Sequence, residues 1–101
     1  MPSYKPLNPY VPYSKSFGLF FKQRRLKAGL SQAQVADALD YTTSQVVSNW
    51  ERGTQSPPFN KLLELCSILK ISRKEMVERL LVEQKKIYQE SIDSIGKRKR
   101  A

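Results

Sequence analysis

An all-α fold is predicted by three observations. Apolar residues recur at three- and four-residue intervals in five successive windows, capping residues and glycines separate those windows, and no segment alternates polar and apolar over strand length. No internal repeat appears. A chain of 101 residues has room for one small domain with a single modest core. The expected organisation is an extended arm over 1–16, a compact five-helix domain whose last helix runs on past it, covering 17–82, an extension of that helix over 83–96, and a basic tail over 97–101.

Each element follows from local chemistry. Pro2, Pro6, Pro9 and Pro12 forbid helix or central strand, so the arm is extended, with Tyr4, Tyr10 and Tyr13 free to patch the domain surface or reach a ligand. Ser16 is the expected cap of a first helix whose apolar face is Phe17, Leu19, Phe20, Phe21 and Leu26, with Lys22, Arg24, Arg25 and Lys27 opposite and Gly29 as its end. Ser31 caps a short second helix with Val35, Ala36 and Leu39 inward. Asp40-Tyr41-Thr42 makes a turn, Thr43 caps a third helix with Val46, Val47 and Trp50 inward, and Gly53 stops it. Ser56-Pro57-Pro58 opens a fourth helix carrying Phe59, Leu62, Leu63, Leu65, Ile68 and Leu69, which runs to about Lys70. Ser72 and Glu75 form a capping box for a fifth, with Met76, Val77, Leu80, Leu81 and Val82 buried, then Ile87, Tyr88, Ile92 and Ile95 along one narrow stripe, closed by Gly96.

Charge and composition bound the function. Eighteen Lys and Arg against nine Asp and Glu give +9, which favours a polyanionic partner. The lone Cys66 cannot form an intrachain disulfide and belongs to the core, so no oxidising compartment is needed. No apolar run approaches the roughly 18 residues of a membrane span, and no secretion signal is recognisable, so a cytoplasmic protein without a membrane role is expected. With no His, no metal-spaced cysteine cluster and no phosphate-binding glycine loop, neither an enzyme nor a cofactor or metal site is expected.

Two short helices around a tight turn form a helix-turn-helix, whose second helix enters the major groove of DNA. In TTSQVVSNWERG, residues 42–53, the outward face is Thr43, Ser44, Gln45, Ser48, Asn49 and Arg52, a hydrogen-bonding surface with almost no acid. Gln and Asn suit adenine edges, and short hydroxyls reach bases or phosphates. Residues 17–72 resemble the lambda-repressor-like helix-turn-helix domain of phage repressors, Cro-type proteins and related bacterial regulators. Arg25, Gly29-Leu30-Ser31-Gln32, Val35-Ala36-Asp37-Ala38-Leu39 and Val47-Ser48-Asn49-Trp50-Glu51-Arg52-Gly53 carry the resemblance, followed by the Pro-containing start of a leucine-rich helix.

That resemblance implies Gln32 as a phosphate contact, Ser44, Gln45 and Asn49 as base readers flanked by Thr43 and Ser48, and Arg25 paired with Glu51 and within reach of a phosphate. It gives Ala36 a packing role and Trp50 a core role. The family usually places a Gly and one apolar residue before the recognition-helix cap, whereas Asp40, Tyr41 and Thr42 make this turn one residue longer, with Tyr41 in the apolar position. The implied function is sequence-specific double-stranded DNA binding by a transcriptional regulator that represses by occupying its site. The alternative is an adaptor or antitoxin-type protein with a protein partner. The stripe beyond Glu83 either meets a symmetry-related copy, the favoured reading, which gives a homodimer reading half-sites about 34 to 36 Å apart, or folds back on its own domain.

Overall fold

A computed structural model gives the fold and describes residues 9–99, the side chains of residues 98 and 99 excepted. Residues 1–8 of the expected arm and most of the expected tail lie outside the described residues. Five α-helices follow one another without a strand among the described residues: α1 Lys15–Lys27, α2 Gln32–Ala38, α3 Gln45–Glu51, α4 Leu62–Leu69 and α5 Arg73–Lys99. Phe17, Phe21, Val35, Leu39, Val47, Trp50, Leu65 and Leu69 form the centre of the core, where α1, α2, α3 and α4 meet.

The arm is packed where it is described. Val11 and Pro12 are buried, while Tyr10 and Tyr13 face solvent. Helix α1 starts earlier than expected, because Ser14 and not Ser16 accepts the bond from the Phe17 amide at 3.0 Å. Its apolar face is also narrower, with Phe17 and Phe21 buried but Leu19 and Leu26 turned to solvent and Arg25 turned in. Ser31 and Gln34 close a reciprocal capping box on α2. Asp40 adopts φ 64°, a left-handed conformation that favours glycine, and the Tyr41 amide bonds Ala36 O at 2.9 Å.

Three further boundaries differ from expectation. Thr43 does not cap α3; Ser44 precedes it in helical conformation without a side-chain cap bond, and the Gln45 amide is 3.4 Å from Thr43 Oγ1. Ser56-Pro57-Pro58 stays extended, since a proline disfavours helical geometry in the residue before it; a 3-10 turn over Phe59–Lys61 leads into α4 instead. Gly96 does not end α5, which continues to Lys99. Of the expected box at Ser72, the Glu75 amide bond to Ser72 Oγ forms at 3.0 Å, and the Glu75 carboxylate goes to Arg24 at 2.9 Å.

Helix α5 buries less of its first half than expected. Met76 is buried and Leu80 packs on the core, but Val77, Leu81 and Val82 are exposed. Ile87 is half-buried, off the line of Tyr88. At 100° per residue, Val77, Leu81, Tyr88, Ile92 and Ile95 fall on one side, each more than half exposed.

Candidate nucleic-acid interface

Two glycines set where α3 can lie. A Cβ on Gly18 would come 2.4 Å from Glu51 O and 2.7 Å from Trp50 O, so only glycine lets α1 cross the end of α3 at this distance. Gly53, at φ +76°, ends α3, and a Cβ there would come 2.4 Å from Ser14 O. On the inward side Val47 and Trp50 are buried, Val46 is half-buried, and Tyr41 meets Trp50 edge-on with centroids 5.8 Å apart.

The outward side is a connected set of amides. Gln45 Nε2 donates to Asn49 Oδ1 at 3.0 Å, Arg52 Nη2 donates to the same oxygen, and Asn49 Nδ2 donates to Gln55 Oε1 at 3.1 Å. Gln45, Arg52 and Thr43 are exposed; Ser44, Ser48 and Asn49 are half-buried along the same helix. Gln55 and Thr54, which bonds Asn49 O at 3.1 Å, were not singled out by sequence. Their signal was position alone, as polar residues directly after Gly53.

Helix α3 carries one acid, Glu51, and it is withdrawn from this face. Its side chain is 5% exposed and takes Arg25 Nε at 2.6 Å, Arg25 Nη2 at 3.0 Å and Gln32 Nε2 at 3.0 Å. Arg25 Nη1 donates to Leu30 O at 2.8 Å. The Glu51 hydrogen bond raises the Arg25 pKa against the opposing effect of burial, so the guanidinium stays charged. Arg25, Gln32 and Glu51 therefore join α1, the start of α2 and the end of α3 in one cluster, and a solvated Glu51 is ruled out by its burial. Ala36 is buried in the core as the packing role requires.

The remaining chemistry is sparse. Burial pushes the Cys66 thiol up, leaving it protonated and inert. Among the described residues no group of three or more His, Cys, Asp or Glu is placed to hold a metal ion. No described helix is long and apolar enough to cross a membrane.

Comparison with curated proteins finds no match. A family model described as helix-turn-helix, of the Cro/C1 type, matches residues 21–76. That span runs from the second half of α1 through α4 into α5, and holds Gly53, the Arg25–Glu51 pair and the whole of α3, while Gly18 and Ser14 lie before it. The chain belongs to the lambda-repressor-like helix-turn-helix family, a family of DNA-binding domains.

Proposed function

We propose that this protein binds a specific sequence in double-stranded DNA and represses transcription by occupying that site. The observation that carries the reading is the outward face of α3, where Gln45, Asn49 and Arg52 form one amide and guanidinium surface while Glu51, the helix's acid, is buried. Asn49 and Gln45 are the base readers, exchanging their mutual bonds for adenine or guanine edges. Thr43, Ser44, Ser48 and Arg52 contact the flanking bases and phosphates, and Gln32, at the first turn of α2, meets a phosphate. Arg25 serves the interface by holding Glu51, which in turn accepts from Gln32, since three of its nitrogens are bonded within the protein.

Pairing of two copies completes the proposal. The exposed stripe Val77, Leu81, Tyr88, Ile92 and Ile95 is about 27 Å long at 1.5 Å per residue, which suits a second α5 as its cover. Selection from random duplexes should recover one site with two related halves. Replacing Gln45 or Asn49 by Ala should then cost about 1 to 3 kcal/mol on that site and leave random DNA unaffected. Equal losses on both would remove the base-reading assignment. A monomeric wild type in sedimentation would remove the dimer, and a Leu81→Asp, Ile92→Asp variant that still pairs would remove the stripe as its seam.

A further inference from the structure

Glu83 is the buried carboxylate that sequence gives no reason to expect. It is 1% exposed on a helix whose neighbours Leu81, Val82, Lys85 and Lys86 face solvent. Ser14 Oγ donates to its Oε2 at 2.9 Å, Ser16 Oγ lies 2.9 Å from both oxygens, and Arg79 Nη2 meets Oε1 at 2.9 Å. Lys86 Nζ stands 3.6 Å away. Arg79 also donates to Ser16 O at 3.2 Å and lies over the Phe20 ring at 5.0 Å, while its Nε is buried without a partner.

A buried carboxylate is a poor way to gain stability, since apolar side chains of similar volume do as well or better. What it adds is direction. Its bonds fix α5 against the first turn of α1, and Ser14 is also the residue that caps that turn. On the other side of Ser14 lies Gly53, so close that a Cβ would fall 2.4 Å from Ser14 O and 2.6 Å from Lys15 N. The start of α1 is thus wedged between the end of the recognition helix and Glu83.

We propose that Glu83 is a positioning residue that locks α5 to the start of α1 and, through the Ser14–Gly53 contact, to the end of α3. The stripe on α5 then meets a second copy with both recognition helices at one fixed separation. This rests on the pairing reading above. It makes Glu83 a determinant of half-site spacing, although it lies on a different helix from the base readers and touches none of them.

The test separates the lock from the pairing. Nitroxide labels at Gln23→Cys and Ser94→Cys, in a Cys66→Ala background diluted with unlabelled full-length protein, report the α1–α5 distance within one chain. Wild type should give one narrow distribution, Glu83→Leu a broad one, and Glu83→Gln, which keeps the shape and one acceptor oxygen, an intermediate one. Ser16→Ala removes the Ser16 hydroxyl's bond to Glu83, leaves the Ser14–Phe17 cap bond in place, and should also broaden it. On duplexes carrying two half-sites at stepped spacings, wild type should favour one spacing by about tenfold or more, as expected of linked binding events. Glu83→Leu should lose that optimum while its affinity for a single half-site is kept. An unchanged distance distribution in both Glu83→Leu and Ser16→Ala overturns the lock whatever the oligomeric state. So does an unchanged spacing optimum in Glu83→Leu. Broadening in the variants together with a monomeric wild type supports the lock and overturns the pairing.

Discussion

Removing the Glu51 carboxylate should cost far more than an acid near the protein surface normally does. In Glu51→Ala the Arg25 guanidinium loses bonds of 2.6 and 3.0 Å and Gln32 loses one of 3.0 Å, with the two charged side chains 10% and 5% exposed. Exposed pairs contribute about 0 to 1 kcal/mol, whereas stripping one partner from a buried pair costs about 3 to 5 kcal/mol because the other charge is left uncompensated. Arg25 keeps its bond to Leu30 O at 2.8 Å, which places the expected loss near the lower end, about 3 kcal/mol. For a domain of this size that lowers the melting temperature by more than about 10 °C.

The assay is thermal and urea unfolding followed by circular dichroism, on Glu51→Ala, Arg25→Met and the Arg25→Met, Glu51→Leu double variant. Because the double variant removes both charges, it should recover most of the loss, to within about 1 kcal/mol of wild type. Its specific DNA binding should nevertheless stay weak, since Gln32 and the end of α3 no longer share an anchor. A Glu51→Ala cost below about 1 kcal/mol would refute the reasoning, as it would mean the pair behaves like a solvated one. So would a double variant no more stable than either single one.

Four further outcomes are expected. Gly53→Ala should lose at least about 2 kcal/mol in unfolding experiments, from its positive φ and the 2.4 Å approach to Ser14 O. Asp40→Gly should gain about 0.5 to 1 kcal/mol, relief of the left-handed conformation at φ 64° outweighing the entropy of glycine, and a lower melting temperature would contradict it. Burial pushes the Glu83 carboxyl up, but bonds from Ser16 and Ser14 and the charges of Lys86 and Arg79 outweigh it and hold it below its ordinary 4.5. Its contribution is therefore complete above that value and lost as pH falls through the folded pKa, so the wild-type melting temperature should converge on that of Glu83→Gln as the pH is lowered below 4.5. Deleting residues 97–101 should weaken binding to all DNA and flatten the salt dependence by up to about four phosphate contacts, whereas an unchanged slope would leave that tail without a role in binding.

The helical class and the inward and outward sides of α3 were legible because their signals are contiguous. Residues 42–53 carry inward residues, outward residues and glycine stop in one run. What escaped lies between distant segments. Ser14 and Ser16 meet Glu83 across separations of 69 and 67 residues, and nothing in the local pattern around Glu83 distinguishes it from the other acids of α5. Ser14 and Ser16 are equally good caps by composition. Period alone could not decide that Leu19 and Leu26 face out, since Phe17 and Phe21 already fill the space that α1 offers to the core. The α4 start departs from the preference for proline at the first helical position because Pro57 and Pro58 are paired, and the second proline restricts the first.

Local and long-range contacts meet at α1. Its apolar side would let it slide or rotate over the core at small cost, because apolar contacts are not directional and cores tolerate shifts that preserve volume. Contacts along its length remove that freedom: Ser14 and Ser16 to α5, Gly18 to the end of α3, Arg24 to Lys70 O and Glu75, and Arg25 to Glu51. The consequence for function is an order of loss. A variant that cuts one of these ties leaves the apolar core intact, so the angle between α3 and α5 should degrade before the fold does. Specific DNA binding should then fall at temperatures where circular dichroism still reports a folded helix bundle.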